Sequence, residues 1–309
     1  MPRITASELT YGIEIECGID SNTPIRIGGY HSGNPVAALP AFDNRAWRAD
    51  RDGSLSFRGK TPVEFVSPIL KGADGLDNIR AACAQIKAWG GVTNNTCGLH
   101  VHVAFPSDSV AAMRRLTMLC AQFEDALYAS TGTPDRRAGS YCRPIKTEGN
   151  KRIAWDTYAD KNAIGRAYGV GDLQDRYRIL NWTNFLSGRL PTVEFRVFSG
   201  SLNPAKIAAW VQICLTLVEM ALDGVDPNGW DCRVSNWDSF GTTKGEQNVR
   251  YMCRRVWWST AFKSRNYGEL GHATFTRKAA ERTLKELGIR HDERLNLRTA
   301  RTERASVEG

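Results

Sequence analysis

Apolar and polar positions alternate with a period of two over residues 9–18, and again over 62–69, where Val63 and Phe65 flank Glu64. This spacing predicts two β-strands. Helical spacing follows: Leu76, Ile79, Cys83 and Ile86 share one face, Asp74 or Asp77 can cap the start, and Gly90-Gly91 ends the run. Alternation returns over 98–105. Ser107 then caps a longer helix with the stripe Val110, Met113, Leu116, Cys120, Phe123 and Leu127, which stops near Thr131-Gly132. Residues 177–186 and 192–199 read as a strand pair joined at Ser187-Gly188-Arg189, and Pro204 opens a strongly apolar helix that runs to about Asp223-Gly224. Segments 18–50 and 133–176, rich in Gly, Pro, Asn and Arg, read as polar loops, the second with short helices. Past residue 225, Trp230, Trp237, Trp257 and Trp258 imply packed helices, with a last amphipathic one over 278–287. Two parts are expected: a unit over 1–224 and a Trp-rich, mainly helical part over 225–309 packed on it.

Composition narrows the class. A chain of 309 residues at 42% hydrophobic and 24% charged can bury a sizeable core, and 28 Gly and 12 Pro supply no low-complexity bias. The most apolar long stretch, 205–222, carries Lys206, Gln212 and Glu219, which argues against a membrane span. The opening M-P-R-I-T-A-S-E-L-T places Glu8 where a signal peptide would have its apolar core. Eight cysteines include no C-x-x-C pair, and several fall at apolar positions of the patterns, so reduced thiols in a cytoplasm are expected. Net charge is +8, concentrated in 134–178, with ten Lys/Arg against six Asp/Glu, and in 277–309, with nine against six. Such a balance suits a phosphate-bearing ligand, nucleic acid or an acidic partner, but a solvated basic face is the commoner explanation.

The strands carry the chemistry. In Y-G-I-E-I-E-C, 11–17, Glu14 and Glu16 share one face and Ile13, Ile15 and Cys17 the other. G-L-H-V-H-V, 98–103, sends His100 and His102 one way against Leu99, Val101 and Val103, and T-V-E-F-R-V-F, 192–198, pairs Glu194 with Arg196 against Val193, Phe195 and Val197. A wet sheet face ordinarily mixes in Lys, Thr, Ser and Gln. Here the outward positions hold almost only metal-ligand types, and amphipathic helices between the strands can cover the apolar face. Four carboxylates on one surface raise one another's pKa unless cations sit among them, so the sheet predicts metal. Oxygen-rich ligands with an imidazole favour Mg²⁺ or Mn²⁺, whose coordination substrate phosphates often complete. An arginine two residues after a metal carboxylate would lie near those phosphates.

Common nucleotide motifs are broken. R-G-K-T, 58–61, has Ser54 where the first P-loop glycine belongs and a strand where a helix is required. Y-G-V-G-D, 168–172, lacks the third glycine and preceding strand of a dinucleotide fingerprint. His31, His272 and His291 have no ligand-spaced neighbours, and Cys17 and Cys97 read as structural. Two other classes stay open: a metal-dependent hydrolase or cupin-like oxygenase, since H-x-H on a strand also serves those, and a basic nucleic-acid-binding module. Residues 103–106 lack the carboxylate a cupin places after its second histidine, and no binding motif frames Tyr141, Trp155, Tyr158 and Tyr168 in the basic stretch.

Taken together, G-I-E-I-E, then D-G-S with V-E-F-V-S-P, then C-G-L-H-V-H, R-Y-R-I-L-N and V-E-F-R-V-F-S-G resemble the amidoligases, carboxylate–amine ligases related to glutamine synthetase and glutamate–cysteine ligase. The resemblance spans roughly residues 9–222. It implies a curved antiparallel sheet with helices on its convex face and a concave face that binds ATP and two or more Mg²⁺ or Mn²⁺ ions. On this likeness Glu14, Glu16, Glu64, Glu194 and His100 are the expected metal ligands and His102 a nucleotide-phosphate contact. Arg196 is expected at the phosphoryl transfer. Arg178 and Asn181 are expected to touch substrate or phosphate. A second carboxylate near Glu64 is expected from Asp50 or Asp52. The implied reaction joins a carboxylate and an amine, small or peptidic, at the expense of ATP and without a protein nucleophile.

Overall fold

The computed structural model describes residues 4, 8–30, 32–122, 127, 139–145 and 176–224. The expectations for 146–175 and 225–309, with the tryptophans of the C-terminal part, lie outside the described residues. So do His31, His272 and His291.

The described residues form an α+β fold around an open, mostly antiparallel sheet. Its strands are β1 (Thr10–Ile19), β2 (Asn34–Pro35), β3 (Arg48–Asp50), β4 (Thr61–Val66), β5 (Leu70–Lys71), β6 (Gly98–Ala104), β7 (Leu180–Asn181) and β8 (Thr192–Ser199). They lie side by side in the order β2-β3-β4-β1-β6-β8-β7, with β5 pairing the start of β1. The helices are α1 (Gly72–Ala88), α2 (Val110–Gln122), the single turn α3 (Thr183–Leu186) and α4 (Pro204–Leu222). Ile13, Ile15, Cys17, Val63, Phe65, Leu99, Val101, Val193 and Phe195 are buried on one side of the sheet, in the core that the helices complete. α4 packs against α1, α2 and β6 together, and from Ile207 to Val218 it is buried nearly all round. Its all-round apolar sequence reflects that central position. No helix among the described residues is long and apolar enough to cross a membrane.

Where structure and pattern differ, local hydrogen bonding explains it. The strand expected over 62–69 splits at Ser67-Pro68, since proline cannot donate to a ladder, and the Ser67 hydroxyl takes over by accepting the Ile13 N–H at 2.8 Å. α1 starts at Gly72 rather than at an aspartate cap. Gly72 has φ +59°, which turns the chain directly from β5 into the helix, and its carbonyl accepts the Tyr11 hydroxyl at 3.0 Å. α2 is capped by Ser109 instead of Ser107: the Ala112 N–H donates to Ser109 Oγ at 3.4 Å, while Ser107 Oγ holds the preceding turn. The strand expected over 177–186 shrinks to β7. Asn181 Oδ1 accepts the Thr183 N–H at 2.9 Å and diverts the chain into α3. Trp182 then turns inward, its indole N–H donating to Thr117 Oγ1 at 3.1 Å and its ring meeting Phe105 edge-on.

Segment 18–50 is more ordered than a polar loop. It supplies β2, β3 and the buried Val36, Leu39 and Trp47. Buried Asn78 of α1 ties it down, accepting the Trp47 indole N–H at 2.8 Å and donating to the carbonyls of Pro40 and Ala41 at 2.9 and 3.1 Å. Asn78→Ala leaves a buried donor and two carbonyls unpaired, and should cost about 1–3 kcal/mol in urea denaturation. A loss below a few tenths would mean that α1 does not anchor this segment.

Candidate active site

The alternation that fills the core turns a second set of side chains to the opposite face, and strand register brings them together. Glu16 of β1 pairs across from Glu64 of β4, which pairs in turn with Asp50 of β3. On the other side of β1, Glu14 pairs with His100 of β6, His102 with Glu194 of β8, and Glu194 with Asn181 of β7. His100 Nδ1 lies 2.7 Å from Glu14 Oε2 and 3.6 Å from Glu194 Oε1, and its Nε2 lies 3.6 Å from Glu16 Oε1. His102 Nε2 lies 3.1 Å from Glu14 Oε1. Arg196 Nη1 bonds Glu194 Oε1, and the Gly98 N–H donates to Glu16 Oε2. Glu16, Glu64 and Glu194 are each only 5% exposed. The sequence-predicted metal ligands thus form one buried cluster.

A β-bulge shapes its β8 side. Leu99 pairs with Phe198 and Val101 with Phe195, so β8 sets two residues, Arg196 and Val197, against His100 alone. Such a bulge re-aims side chains. It also puts Phe198, not Val197, opposite core-facing Leu99, where the ring stacks on Trp210 of α4 at 5.0 Å.

Two overlapping triads within the cluster could each hold an ion: Glu14, His100 and Glu194, and Glu16, Glu64 and His100, with donor atoms within 4.8 Å of one another in each. Carboxylate-rich sets of this kind suit hard divalent cations. A neutral imidazole has one lone pair, so His100 can ligate in one triad at a time and offers an N–H toward the other.

The electrostatics fit a cation. Burial, then the charges of Glu14, Glu16, Asp52 and Asp50, push the Glu64 carboxyl up to about 10. Burial opposes ionisation of Glu14, yet the His102 charge and hydrogen bonds to both histidines hold it well below the usual range. For His102, burial is outweighed by Glu14 and Glu194, which lift it to about 9. Glu194 is lowered against its burial by Arg196 and the two histidines. Arg196, whose burial opposes its charge, is raised by Glu194 and Glu14. A divalent ion would counter the burial and the repulsion that together keep Glu64 protonated.

The remaining candidates separate. Of the two aspartates considered beside Glu64, Asp50 stands in register with it at 1% exposure, whereas Asp52 accepts the Ser54 N–H at 2.7 Å. Gly33 rests on Asp50 so closely that a Cβ there would lie 1.5 Å from Oδ1. Asn181 engages both ends of its amide, Nδ2 donating to Glu194 Oε2 at 2.7 Å while Oδ1 makes the turn, so it fixes Glu194. Arg178 reaches the carbonyl of Pro144 at 2.8 Å, in a segment that also bridges β-fashion to Arg143. Cys17 is buried on the core face, where burial raises its thiol. Sequence reasoning passed over Tyr177, whose ring lies 5.6 Å from the Arg196 guanidinium carbon; it stands inside the quoted R-Y-R-I-L-N segment, which was its only signal.

Residues 36–218 match the family model described as "Putative amidoligase enzyme". No curated protein sequence matches the chain. The matched region holds β3 to β8 and most of α4; Glu14 and Glu16 precede it and enter the site through the pairing of β1 with β4 and β6.

Without metal, the folded chain holds the Glu64 proton to about pH 10 and the His102 proton to about pH 9, against 4.5 and 6.5 as ordinary values. The folded state then binds more protons than the unfolded one between pH 6.5 and 9. The His102 contribution is full below 6.5 and lost as pH rises through 9, and the cost of Glu64 grows over the same span. Metal-free stability should therefore decline across that window. A ligated Glu64 must be ionised, so calorimetric titration of MnCl₂ at pH 7.5, in buffers of different ionisation enthalpy, should show about one proton released per first ion bound. Heats independent of buffer would exclude the Glu16–Glu64–His100 triad as the place of the first ion.

Proposed function

The chain belongs to the amidoligase family, a family of ligase-type enzymes, and from that premise we propose that it is an ATP-dependent carboxylate–amine ligase working through an acyl phosphate. The observation that carries the reading is the pair of overlapping carboxylate–histidine triads on one sheet face with Arg196 beside them. The open antiparallel sheet with helices on its apolar side suits a glutamine synthetase-like catalytic fold, which we propose for residues 1–224. We place the reaction in the cytoplasm, where ATP and magnesium are supplied.

In this scheme Glu14, Glu16, Glu64, His100 and Glu194 hold Mg²⁺ or Mn²⁺. Bound divalent ions would neutralise triphosphate charge and help align the terminal phosphoryl group. A carboxylate oxygen of the acid substrate attacks the γ-phosphorus of ATP, and the bond to the bridging oxygen breaks, its electron pair leaving with ADP. The amine nitrogen then attacks the acyl carbon, phosphate departs with the C–O electron pair, and the amine proton passes to solvent. Arg196, kept cationic by Glu194, faces the charge that builds on the transferring phosphoryl group. His102 contacts nucleotide phosphate, Asn181 keeps Glu194 in place, and Arg178 orients the 141–145 segment toward substrate.

Hydroxylamine can replace the amine and trap the acyl phosphate as a hydroxamate. Incubation with ATP, Mg²⁺ and a panel of carboxylic acids should yield hydroxamate with at least one acid, and Glu14→Gln or Glu16→Gln should abolish it. Phosphorylation of a hydroxyl compound, with no hydroxamate from any acid, would keep the metal site and sink the ligase. Stabilisation by Zn²⁺ alone, with none by ATP and Mg²⁺, would favour a hydrolase.

Arg196→Lys keeps the charge and loses the planar fork. It should lower turnover by on the order of a hundredfold while changing ATP affinity little. Glu194→Ala should instead weaken binding of the metal–nucleotide pair. Wild-type rates in both variants would take β8 out of the site.

A further inference from the structure

Beside the cluster lies a run of tyrosines and arginines that the ligase chemistry leaves unused. Tyr30 stands at the tip of a turn closed by the Gly29–Ser32 bridge, four residues before β2. Arg176 stands four residues before β7. These strands are the two opposite edges of the sheet, and seven strands at about 4.8 Å spacing would set them roughly 29 Å apart if flat. Yet Arg176 Nη2 donates to the Tyr30 hydroxyl at 2.7 Å. The contact is made over the polar face, for Gly33 lies on Asp50 at one end and Tyr177 beside Arg196 at the other. The Arg176 guanidinium carbon lies 5.1 Å from the centroid of the Tyr177 ring, which Arg196 also approaches and Tyr141 meets edge-on at 5.4 Å.

Two properties of this run point outward. Arg176 has no acidic partner among the described residues; the groups around it are Tyr30, Tyr177 and Arg196. Tyr30 and Tyr141 are 56% and 50% exposed. Among the described residues this guanidinium meets no carboxylate and lies beside exposed tyrosine rings, the composition of a protein-binding hot spot. A pocket for a small ligand would enclose its rings instead. Among the described residues, the acidic groups beside the run, Asp50 against Gly33 and Glu194 on Arg196, belong to the buried cluster, so the complement that suits this rim is negative charge on an extended partner.

We propose that Tyr30, Tyr141, Arg176 and Tyr177 form a docking surface for an acidic peptide segment, with a carboxylate of the peptide on Arg176 and its backbone laid across the two exposed tyrosines. The surface leads through Tyr177 to Arg196, so a docked segment presents a neighbouring side chain or terminus to the cluster. This deepens the ligase reading and rests on it for the purpose of docking, which makes the substrate a peptide or protein.

A fluorescein-labelled pentapeptide of alternating Glu and Ala tests it by anisotropy, with the Gln analogue as control. The full chain should bind the Glu peptide, more weakly as salt rises, and the Gln peptide at least about tenfold more weakly. Arg176→Gln should lose a similar factor, Arg176→Lys only part of it, and Tyr141→Ala should weaken binding without altering the melting temperature. Absence of binding, or equal affinity in wild type and Arg176→Gln, overturns the proposal. Glutarate binding as tightly as the peptide would assign the site to a small diacid, and inorganic phosphate outcompeting the peptide would assign it to nucleotide; either result also overturns it. The two readings fail separately. Hydroxamate from a small acid without peptide binding sinks the docking surface alone, whereas peptide binding without hydroxamate from any acid sinks the ligase alone.

Discussion

Repulsion among like charges held out of water is the constraint on which the structure turns. Glu14, Glu16, Glu64 and Glu194, with Asp50 beside them, converge from β1, β4, β8 and β3 of one sheet onto a buried patch, and the Glu64 carboxyl, raised by burial and then by its neighbours' charges, records that arrangement. Carboxylates on flexible loops would move apart. These cannot, because each one's neighbours in sequence are core residues: Ile13, Ile15 and Cys17 around the two β1 glutamates, Val63 and Phe65 around Glu64, Val193 and Phe195 around Glu194. A one-residue slip would carry charges into the core, so hydrophobic burial fixes the register and the register fixes the repulsion. The histidines and Arg196 offset part of it, and a cation bound among the carboxylates would offset the remainder.

Much of this was legible in the chain. Period-two alternation set the strands and sorted metal-type side chains from core ones, because both readings use the same geometric rule. What escaped depends on contacts distant in sequence or on single residues that override a pattern. Asn181 looks like one more strand position, yet its side chain offers the backbone a better partner than the neighbouring strand does. The choice between Asp50 and Asp52 required the pairing of β3 with β4, two short strands whose register no local spacing announces. Segment 18–50 reads as polar loop because its anchor, Asn78, sits in a helix thirty-one residues past Trp47. The bulge opposite His100 is likewise invisible in a strand that alternates regularly on paper.

Family membership and geometry cover different ground. The matched region includes Glu64, both histidines and Glu194, but β1, which carries Glu14 and Glu16, precedes it. β1 is nevertheless the central strand, paired with β4 on one side and β6 on the other, and each triad contains one of its glutamates. Removing its two carboxylates would leave an imidazole with a single carboxylate on either side, too few donors to hold an ion without solvent.

If the triads hold ions as proposed, the position of His100 between them sets an order of loading. Whichever ion takes its lone pair selects a tautomer and turns the ring's N–H toward the second place, which is then short of a donor and faces a hydrogen that a cation avoids. An oxygen from outside the protein has to make up the set. The second ion should therefore arrive with its anionic ligand rather than ahead of it, so that free metal fills half of the centre and the incoming molecule brings the rest of its own binding site.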